Sequence, residues 1–348
     1  MTTARDAFVI DFDKNTLINR IRLFKNSDFS DDMLHKGFNI RKKKGWDIRK
    51  AWEKLQGISD SEIKDYCLPV LYRPFDTRWI FYHDSLVWRT VKKVLGPMIK
   101  SNIGLLFTRP HSPNYEFSLL VSEIIIDQCA VGNKSAGAGV SYIAPLYLYP
   151  DITKDDLFSL VEGDKKRVNI DYRVIPDFIK SPREMVFYLY AVSYSNIFRR
   201  KYSEFLKIDF PRIPFTSDEV IFSKMAKLGK KISDLHLLKS PELDKPICRF
   251  IGKGNNRVEK PLYDEKEKMV YINETQYFTD VQPEVWTYHI GGYQVSNKWL
   301  KDRKGRILSH EDIRHYCLVV TAISKTIQIQ AEIDKLYPNV EKKTLNNV

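Results

Sequence analysis

The spacing of apolar residues changes character twice along the chain, and no other feature limits the fold as strongly. Before residue 153, apolar runs have the length of strands, as in Ile103 to Thr108 and Phe117 to Ile126. From there to residue 240 they recur at helical spacing, and Arg183 to Ile208 predicts one long helix rich in aromatic residues. Short strand-like runs return between Cys248 and Phe278. This alternation predicts an α+β fold.

The end of the chain predicts one more long helix. Ser309 followed by Asp312 resembles a capping box, and an apolar stripe then continues to about Leu336. This pattern completes the predicted organisation of the chain. It comprises a mixed-sheet N-terminal part at residues 1–152, a helical layer at 153–240, a small β-containing part with the long C-terminal packing helix at 241–338, and a flexible tail at 339–348.

Two other helix-like segments bear on packing and on binding. Ser217 to Leu238 has helical periodicity, which Gly229 is expected to interrupt because glycine is a poor helix former. Val87 to Asn102 is also helix-like and carries four cations without an acid, which makes it a candidate surface for a polyanion. Those cations are Arg89, Lys92, Lys93 and Lys100.

The composition excludes some classes of partner and favours others. The 348 residues carry a formal charge of +12 and 43% apolar residues, which fits a globular protein that attracts polyanions. No apolar run approaches the roughly 20 residues of a membrane helix, and the charged N-terminus does not resemble a signal sequence. The four cysteines lie far apart without a Cys-x-x-Cys pair, which indicates reduced thiols. We therefore expect a cytoplasmic protein with no membrane partner.

The motifs that would indicate catalysis are missing or incomplete. His310 and His315 are five positions apart, so on a helix they point in different directions and do not share a metal. Asp177 with Asp264 and Lys266 only weakly matches the two acids and lysine of a nuclease, and no amino-methyltransferase motif occurs. An independent nuclease is the least favoured hypothesis. We expect no catalytic residue, no metal, no cofactor and no small-molecule substrate.

Flat rings and cations are densest between Trp286 and Arg306. This stretch holds two tryptophans, two tyrosines and five basic residues against one acid, Asp302. The cations attract a phosphate backbone over long distances, and the rings supply stiff contact area. Gly291 and Gly292 are expected to allow a tight backbone between them. The stretch favours nucleic-acid recognition over catalysis.

Two other basic segments leave alternatives open. Lys36 to Lys54 has eight Lys or Arg and two acids, with Trp46 and Trp52 among them. Its helix is either a solvated basic face or a phosphate contact. The extended segment Tyr72 to Tyr82 carries three charged residues within six positions, which either hold a turn by an internal salt bridge or face a polyanion. They are Arg73, Asp76 and Arg78.

Several blocks, taken together, resemble a known family. They are YRPFDTRWIFY with the following LVWRTVKKV, NIGLLFTRP, APLYLYP, YSEFLKIDFPRIPF and VWTYHIGGYQVSNKWLKDRKGR, and they span most of Asp6 to Leu336. In this order they resemble the C-terminal target-recognition region of single-chain restriction-modification enzymes, of type ISP and the related type IIG. One departure is Thr90, because the family pattern has proline after the residue that corresponds to Arg89.

The resemblance implies a division of labour between parts of a longer enzyme. In the family, an endonuclease and an adenine methyltransferase precede this region, which supplies the sequence specificity. The implied partners are double-stranded DNA and the methyltransferase domain of the parent enzyme, in cis or in trans. The upstream blocks do not occur in this sequence, so we expect a fragment or a stand-alone specificity subunit. The alternative is a structural or interaction module that clamps the methyltransferase domain and binds DNA only weakly.

The resemblance also changes the expected role of the aromatic, basic stretch. Blocks shared by enzymes that recognise different DNA sequences do not themselves vary with the target. The stretch is therefore expected to position phosphates or to form a frame. Its aromatic residues Trp286, Tyr293 and Trp299 are expected to pack between the small sheet and the final helix.

Base readers are expected in stretches that are less typical of the family. These are Lys253–Arg257, Asn273–Gln276 and Arg41–Lys44, where Asn and Arg offer the paired hydrogen-bonding groups that match base edges. The candidate DNA-binding residues are Lys42, Lys43, Arg73, Arg78, Arg89, Lys92, Lys93, Lys253, Asn255, Asn256, Arg257, Lys298, Lys301, Arg303, Lys304 and Arg306.

Overall fold

The chain folds into two compact units, each assembled from separate stretches of sequence. Unit 1 consists of residues 1–103, 122–130 and 149–166, and unit 2 consists of residues 104–121, 131–148 and 167–348. The computed structural model describes residues 1–42, 45–108, 117–132, 140–149, 166–171 and 175–345. Helices and small sheets occur in both units, so the predicted α+β class is confirmed. The sequence division at residues 152 and 240 stays a prediction.

Most elements are short. In the described residues the helices are α1 (Asp6–Val9), α2 (Lys14–Asn26), α3 (Asp31–Gly37), α4 (Ile48–Gln56), α5 (Asp60–Tyr66), α6 (Lys92–Leu95), α7 (Pro182–Tyr194), α8 (Asn196–Lys201), α9 (Ser203–Leu206), α10 (Glu219–His236), α11 (Pro283–Trp286), α12 (Val295–Lys301) and α13 (His310–Lys342). The strands are β1 (Ile10–Asp11), β2 (Cys67–Arg73), β3 (Asp76–Phe81), β4 (Gly104–Thr108), β5 (Leu119–Ser122), β6 (Ile125–Ile126), β7 (Ser141–Pro145), β8 (Tyr147–Leu148), β9 (Arg167–Val168), β10 (Phe250–Ile251), β11 (Leu262–Asp264), β12 (Met269–Tyr271), β13 (Tyr277–Phe278), β14 (His289–Ile290) and β15 (Tyr293–Gln294).

Unit 1 contains a four-stranded sheet in the order β1-β3-β2-β6. Strands β2 and β3 pair antiparallel across a tight turn in which Phe75 has a φ of +59°. Strand β6 pairs with β2 in parallel. The segment Tyr72–Tyr82 is therefore extended up to Phe81, as predicted, except at the turn formed by Pro74 and Phe75. Pro74 costs no ladder hydrogen bond in the turn.

The long helix predicted from Val87 to Asn102 is wrong. Only α6 and a 3-10 turn at Gly96–Met98 form there. The Tyr82 hydroxyl donates to the Thr90 carbonyl at 2.6 Å, and the Thr90 hydroxyl donates to Asp84, also at 2.6 Å. These bonds, with an isolated β-bridge between Arg89 and Thr2, hold the segment before Val91 in a non-helical conformation. Val91 adopts a left-handed φ of +55°, which does not continue a helix.

Helices α7, α10 and α13 pack together in unit 2. The predicted interruption at Gly229 is wrong, because α10 runs unbroken through it. Glycine is present there for a different reason. A Cβ on Gly229 would lie 1.8 Å from the carbonyl oxygen of Phe187 in α7, so only glycine lets the two helices approach this closely.

The single helix predicted from Arg183 to Ile208 is broken into α7, α8 and α9. Ser195 has an extended backbone and ends α7 while it caps α8, since its hydroxyl oxygen accepts from the Phe198 amide. Asp334 in α13 stabilises the break, because its carboxylate accepts from the Ser195 hydroxyl at 2.8 Å and from Asn196 at 3.0 Å. The break therefore depends on a residue far away in sequence.

The final helix α13 begins as predicted and ends later than predicted. Ser309 and Asp312 form a complete capping box at its start. The helix continues past Pro338 to Lys342, so the flexible tail expected from residue 339 is wrong up to residue 345. Tyr337 and Val340 are fully buried, and this burial supports the last turns. Residues 346–348 lie outside the described part of the chain.

The predicted small sheet is confirmed in the order β10-β13-β12-β11, with all neighbours antiparallel. Its inward residues Val270 and Phe278 are fully buried. The Phe278 ring packs against Tyr316 of α13 at a centroid distance of 4.3 Å. The sheet and the final helix therefore share one core.

His236 of α10 joins α7 and α13 by hydrogen bonds. The Thr326 hydroxyl donates to the Ala322 carbonyl, so its oxygen accepts from His236 Nε2 at 3.0 Å. His236 Nδ1 then accepts from the Tyr190 hydroxyl at 2.6 Å. This arrangement needs a neutral imidazole, and burial lowers the pKa of His236 to about 3.

We expect His236 to make unit 2 less stable in mild acid. An unfolded histidine takes up a proton below a pKa near 6.5, whereas the folded His236 stays neutral until about pH 3. Its contribution is therefore complete above pH 6.5 and is lost as the pH falls, with a slope that approaches about 1.4 kcal/mol per pH unit. Urea denaturation of the wild type and of His236→Gln at several pH values measures this slope. Equal slopes for the two proteins would contradict the assignment.

Candidate nucleic-acid interface

The basic end of the aromatic stretch folds as α12 followed by a turn, residues 301–306, which we call the basic turn. Arg303 does not face solvent. Its guanidinium lies 3.4 Å from the ring centroid of Trp299, donates to the Trp299 carbonyl at 3.1 Å, and is 3.6 Å from the Asp312 carboxylate. With 4% of its surface exposed, Arg303 is an internal cation, which corrects its predicted role as a phosphate contact.

Two of the three aromatic residues expected to pack against the small sheet and the final helix, Trp286 and Trp299, do so. The hydroxyl of the third, Tyr293, donates to the Gly132 carbonyl at 2.9 Å. Trp299 is buried and stacks on His315 at 5.6 Å, with Tyr316 at 5.3 Å, so it lies against α13. Trp286 stacks on Tyr263 of the small sheet at 5.1 Å. The two tryptophans thus join the stretch to both of the elements expected from the sequence.

Gly291 confirms the expected tight backbone. It has a φ of +60°, and a Cβ there would lie 1.9 Å from the Val131 carbonyl oxygen. The next amide, that of Gly292, donates to the same carbonyl at 3.1 Å. A side chain at position 291 would separate the β14–β15 turn from this neighbouring segment of unit 2.

Two of the three predicted base-reading segments, Lys253–Arg257 and Asn273–Gln276, meet in unit 2 around the buried Gln276. Arg41 and Lys42 of the third segment belong to unit 1. Its Oε1 accepts from the Asn256 amide at 2.8 Å and from Asn273 Nδ2 at 3.1 Å, and its Nε2 donates to Asn256 Oδ1 at 2.6 Å. Residues 252–257, which we call the reader loop, are thereby fixed to the turn at 273–276. The Asn256 side-chain nitrogen Nδ2 also donates to the Leu308 carbonyl at 3.5 Å, so both ends of the Asn256 and Gln276 side-chain amides form internal hydrogen bonds.

The reader loop is also fixed to the basic turn. The Arg257 side chain donates to the Gly305 carbonyl at 2.6 Å, and the Val258 backbone amide donates to the Arg306 carbonyl at 2.9 Å. The Gly305 amide donates to the Val258 carbonyl at 2.7 Å. Two segments that are about fifty residues apart in sequence therefore form one continuous edge.

The side chains that project from this edge are mostly cationic. Lys253, Asn255 and Arg257 of the reader loop are exposed, as are Lys301, Lys304 and Arg306 of the basic turn. The Asn255 side-chain oxygen Oδ1 accepts from the Arg257 backbone amide at 2.9 Å, and the side-chain nitrogen Nδ2 has no partner among the described residues. In α12, Lys298 pairs with Asp302. The exposed set can contact phosphates and, through Asn255, a base edge.

In unit 1, Arg73 and Arg78 belong to internal ion pairs. Arg73 lies 2.9 Å from Asp127, and Arg78 lies 2.7 Å from Asp76. Burial raises the pKa of Asp127, and the Arg73 charge offsets part of that rise. The Arg78–Asp76 pair is the internal salt bridge that the sequence left as an alternative, whereas the Arg73–Asp127 pair joins the segment to the residue that follows β6.

The other unit 1 candidates are more open. Arg89 and Lys93 are exposed, Lys92 pairs with Asp84, and Lys42 pairs with Asp32 at 2.9 Å. Lys43 lies outside the described residues. Arg89 and Lys93 therefore stay candidates for phosphate contact, while Lys42 and Lys92 would first have to leave their partners.

Gln276, Gly252 and Gly254 organise the reader loop, and the sequence did not reveal this role. A Cβ on Gly252 would lie 2.0 Å from the Thr275 carbonyl oxygen, and one on Gly254 would lie 2.5 Å from Gln276 Oε1. A lone Gly-Lys-Gly in a polar loop was the only local signal.

Within the described ranges, no group of three or more metal-ligating side chains occurs. None of the described helices is long and apolar enough to cross a membrane.

A family model described as the Type ISP C-terminal specificity domain matches residues 1–332. No curated protein matches the chain significantly.

Three solved structures are similar over nearly the whole chain. A nuclease-deletion mutant of the Type ISP restriction-modification enzyme LlaGI, in complex with a DNA substrate mimic, is 18% identical with a TM-score of 0.64 and covers 96% of this chain and 32% of that one. The ATP-dependent Type ISP enzyme LlaBIII bound to DNA is 19% identical with a TM-score of 0.66, and the match covers 97% of this chain and 23% of that one. The DrdV–DNA complex is 17% identical with a TM-score of 0.70 and covers 95% and 35%. These likenesses show the fold, and the chain spans about a third or less of those proteins.

Proposed function

The chain belongs to the family of Type ISP C-terminal specificity domains, and we propose on this basis that it recognises a specific sequence in double-stranded DNA. The match over residues 1–332 is the observation that carries the proposal. Two of the three similar structures are bound to DNA and the other is in complex with a DNA substrate mimic, which supports the same partner for this chain. Its role would be target recognition, with no chemistry of its own.

The edge formed by the reader loop and the basic turn is the proposed DNA-contacting surface. Lys301 and Lys304 are exposed and have no ion pair among the described residues, so they can bind phosphates without losing an internal partner. Asn255 offers an unused amide donor on the adjacent loop. Phosphate contacts set the register and base contacts supply specificity, so this pairing suits a target-recognition surface.

The rest of the parent enzyme belongs to the same proposal. The chain spans 23% to 35% of the length of the similar structures, and we place it beside a DNA adenine methyltransferase domain, in cis or in trans, with an endonuclease in the same enzyme. We also propose that the chain is related to the specificity regions of type IIG enzymes. We propose that it acts in the cytoplasm. The division at residues 152 and 240 is kept as a proposal for functional parts.

A duplex-binding experiment tests the proposal. Selection from a random duplex library should yield one short asymmetric site that outcompetes random DNA. If about six phosphates are contacted, the affinity should fall about 10³-fold between roughly 50 and 200 mM salt. Equal binding to all duplexes would contradict sequence recognition, and affinity that is insensitive to salt would contradict the phosphate contacts.

A second candidate function is an interaction module that clamps the methyltransferase domain and binds DNA weakly. The small share of the similar proteins that this chain spans favours it, because the remaining parts need docking surfaces. Analytical ultracentrifugation of the chain mixed with a methyltransferase fragment of the parent would then show a one-to-one complex. Tight duplex binding by the chain alone would favour the first function instead.

A further inference from the structure

A cleft of about 490 Å³ opens on unit 1 between the start of α4 and the segment that follows β3. This volume falls within the range of roughly 300–1,000 Å³ that small-molecule sites occupy. Among the residues that the structure describes, none of the candidate DNA-binding residues named above lines it. Its lining residues are Gly45, Trp46, Asp47, Lys50, Ala51, Lys54, Asp84 and Ser85.

Trp46 is a fixed, half-exposed ring in this cleft. Its indole nitrogen donates to the Ser85 carbonyl at 3.0 Å. The buried Arg5 guanidinium lies 3.5 Å from the ring centroid and is itself held by the Leu86 carbonyl at 2.7 Å. The indole therefore cannot turn away, and a flat group can pack on it without a cost for ordering the ring.

Two lysines supply positive charge to the cleft. Lys50 and Lys54 are one turn apart on α4, both are exposed, and neither forms an ion pair within the described residues. Two acids also line the cleft, and Lys92 offsets the charge of one of them, Asp84. Asp47 accepts from the Lys50 backbone amide as the cap of α4, and Asp84 accepts from Thr90 and pairs with Lys92. The cleft thus offers free cations beside a fixed ring.

We propose that this cleft binds one unstacked nucleotide, with its phosphate at Lys50 and Lys54 and its base against Trp46. Lysine is a compact cation suited to phosphate, and a tryptophan ring packs on any base because every base has a flat face. The inference rests on the proposed function, because the nucleotide would come from DNA bound to the same protein. It gives the basic helix α4 a role as a nucleotide contact.

The experiment titrates the full chain with dAMP, inorganic phosphate and deoxyadenosine, followed by NMR or calorimetry. The wild type should bind dAMP about tenfold more tightly than inorganic phosphate, because only dAMP can also stack. The Lys50→Ala/Lys54→Ala double variant should bind dAMP at least about tenfold more weakly. The control is Lys36→Ala/Lys64→Ala, which removes the same charge from exposed positions outside the cleft and should bind dAMP like the wild type.

Three outcomes of the titrations would overturn the inference. Equal binding of dAMP and inorganic phosphate would mean a simple anion site. Equal loss in the control variant would mean a diffuse charge effect, and no binding of dAMP would mean no site. A parallel measurement of duplex binding separates this inference from the proposed function. Duplex binding without dAMP binding removes only the cleft, and dAMP binding without duplex binding removes only the proposed function.

Discussion

Replacement of Gly229 by alanine is expected to destabilise unit 2 by about 3 kcal/mol, measured as the free energy of unfolding in urea. The new Cβ would lie 1.8 Å from the Phe187 carbonyl oxygen and 3.1 Å from the Ala191 amide nitrogen. Both atoms belong to the backbone of α7, so no side-chain rotation can relieve the clash. Helices α7 and α10 must therefore separate, and the packing on both sides of the contact is lost.

The stability that Gly229→Ala is expected to lose through the clash exceeds the stability that it gains through helix propensity. Alanine is favoured over glycine within a helix by about 1 kcal/mol, so a helix without a close neighbour would become more stable. Lys231→Ala, on an exposed position of the same helix, is the control and should change stability by no more than about 0.5 kcal/mol. An unchanged or raised urea midpoint for Gly229→Ala would show that the two helices do not approach as described.

Gly229 also shows where sequence reasoning reached its limit for the fold. The α+β class, the small sheet and the start of α13 at Ser309 follow from local patterns, and the structure has all three. The meaning of Gly229 depends on Phe187, a residue of another helix, so helix propensity alone predicted a break that does not exist. The break at Ser195 was missed for the same reason, because Asp334 in α13 stabilises it.

The candidate interface divides in a similar way. The sequence indicated both the reader loop and the basic turn, and the structure places them side by side. It did not indicate which polar side chains are used internally. Arg303 stacks on Trp299 four positions earlier, and Asn256 bonds to Gln276. The sequence nevertheless suggested both as exposed candidates for DNA contact. A count of charges and amides in a segment cannot separate these two fates, because burial depends on the packed neighbours.

Replacement of Asn255 is expected to change DNA sequence discrimination, whereas replacement of Lys301 is expected to change the affinity for all duplexes. Asn255→Ser removes the amide donor, so it should cost about 1–3 kcal/mol of discrimination at one base pair and leave the salt dependence unchanged. Lys301→Ala should weaken binding to all duplexes about equally and lower the salt slope by about 1, because one phosphate contact is lost. Serine is chosen because its hydroxyl oxygen can still accept from the Arg257 amide, as Asn255 does at 2.9 Å.

The two variants are best compared on one selected duplex and its single-base-pair substitutions, with affinities measured at several salt concentrations. Both residues are exposed, so thermal unfolding should be close to that of the wild type and should exclude a folding defect. The assignment depends on the contrast between the two profiles. A sequence-dependent loss in Lys301→Ala would make the basic turn a reader, and a uniform loss in Asn255→Ser would make the reader loop part of the frame. Either result would reverse the division of labour that the reader loop and the basic turn predict.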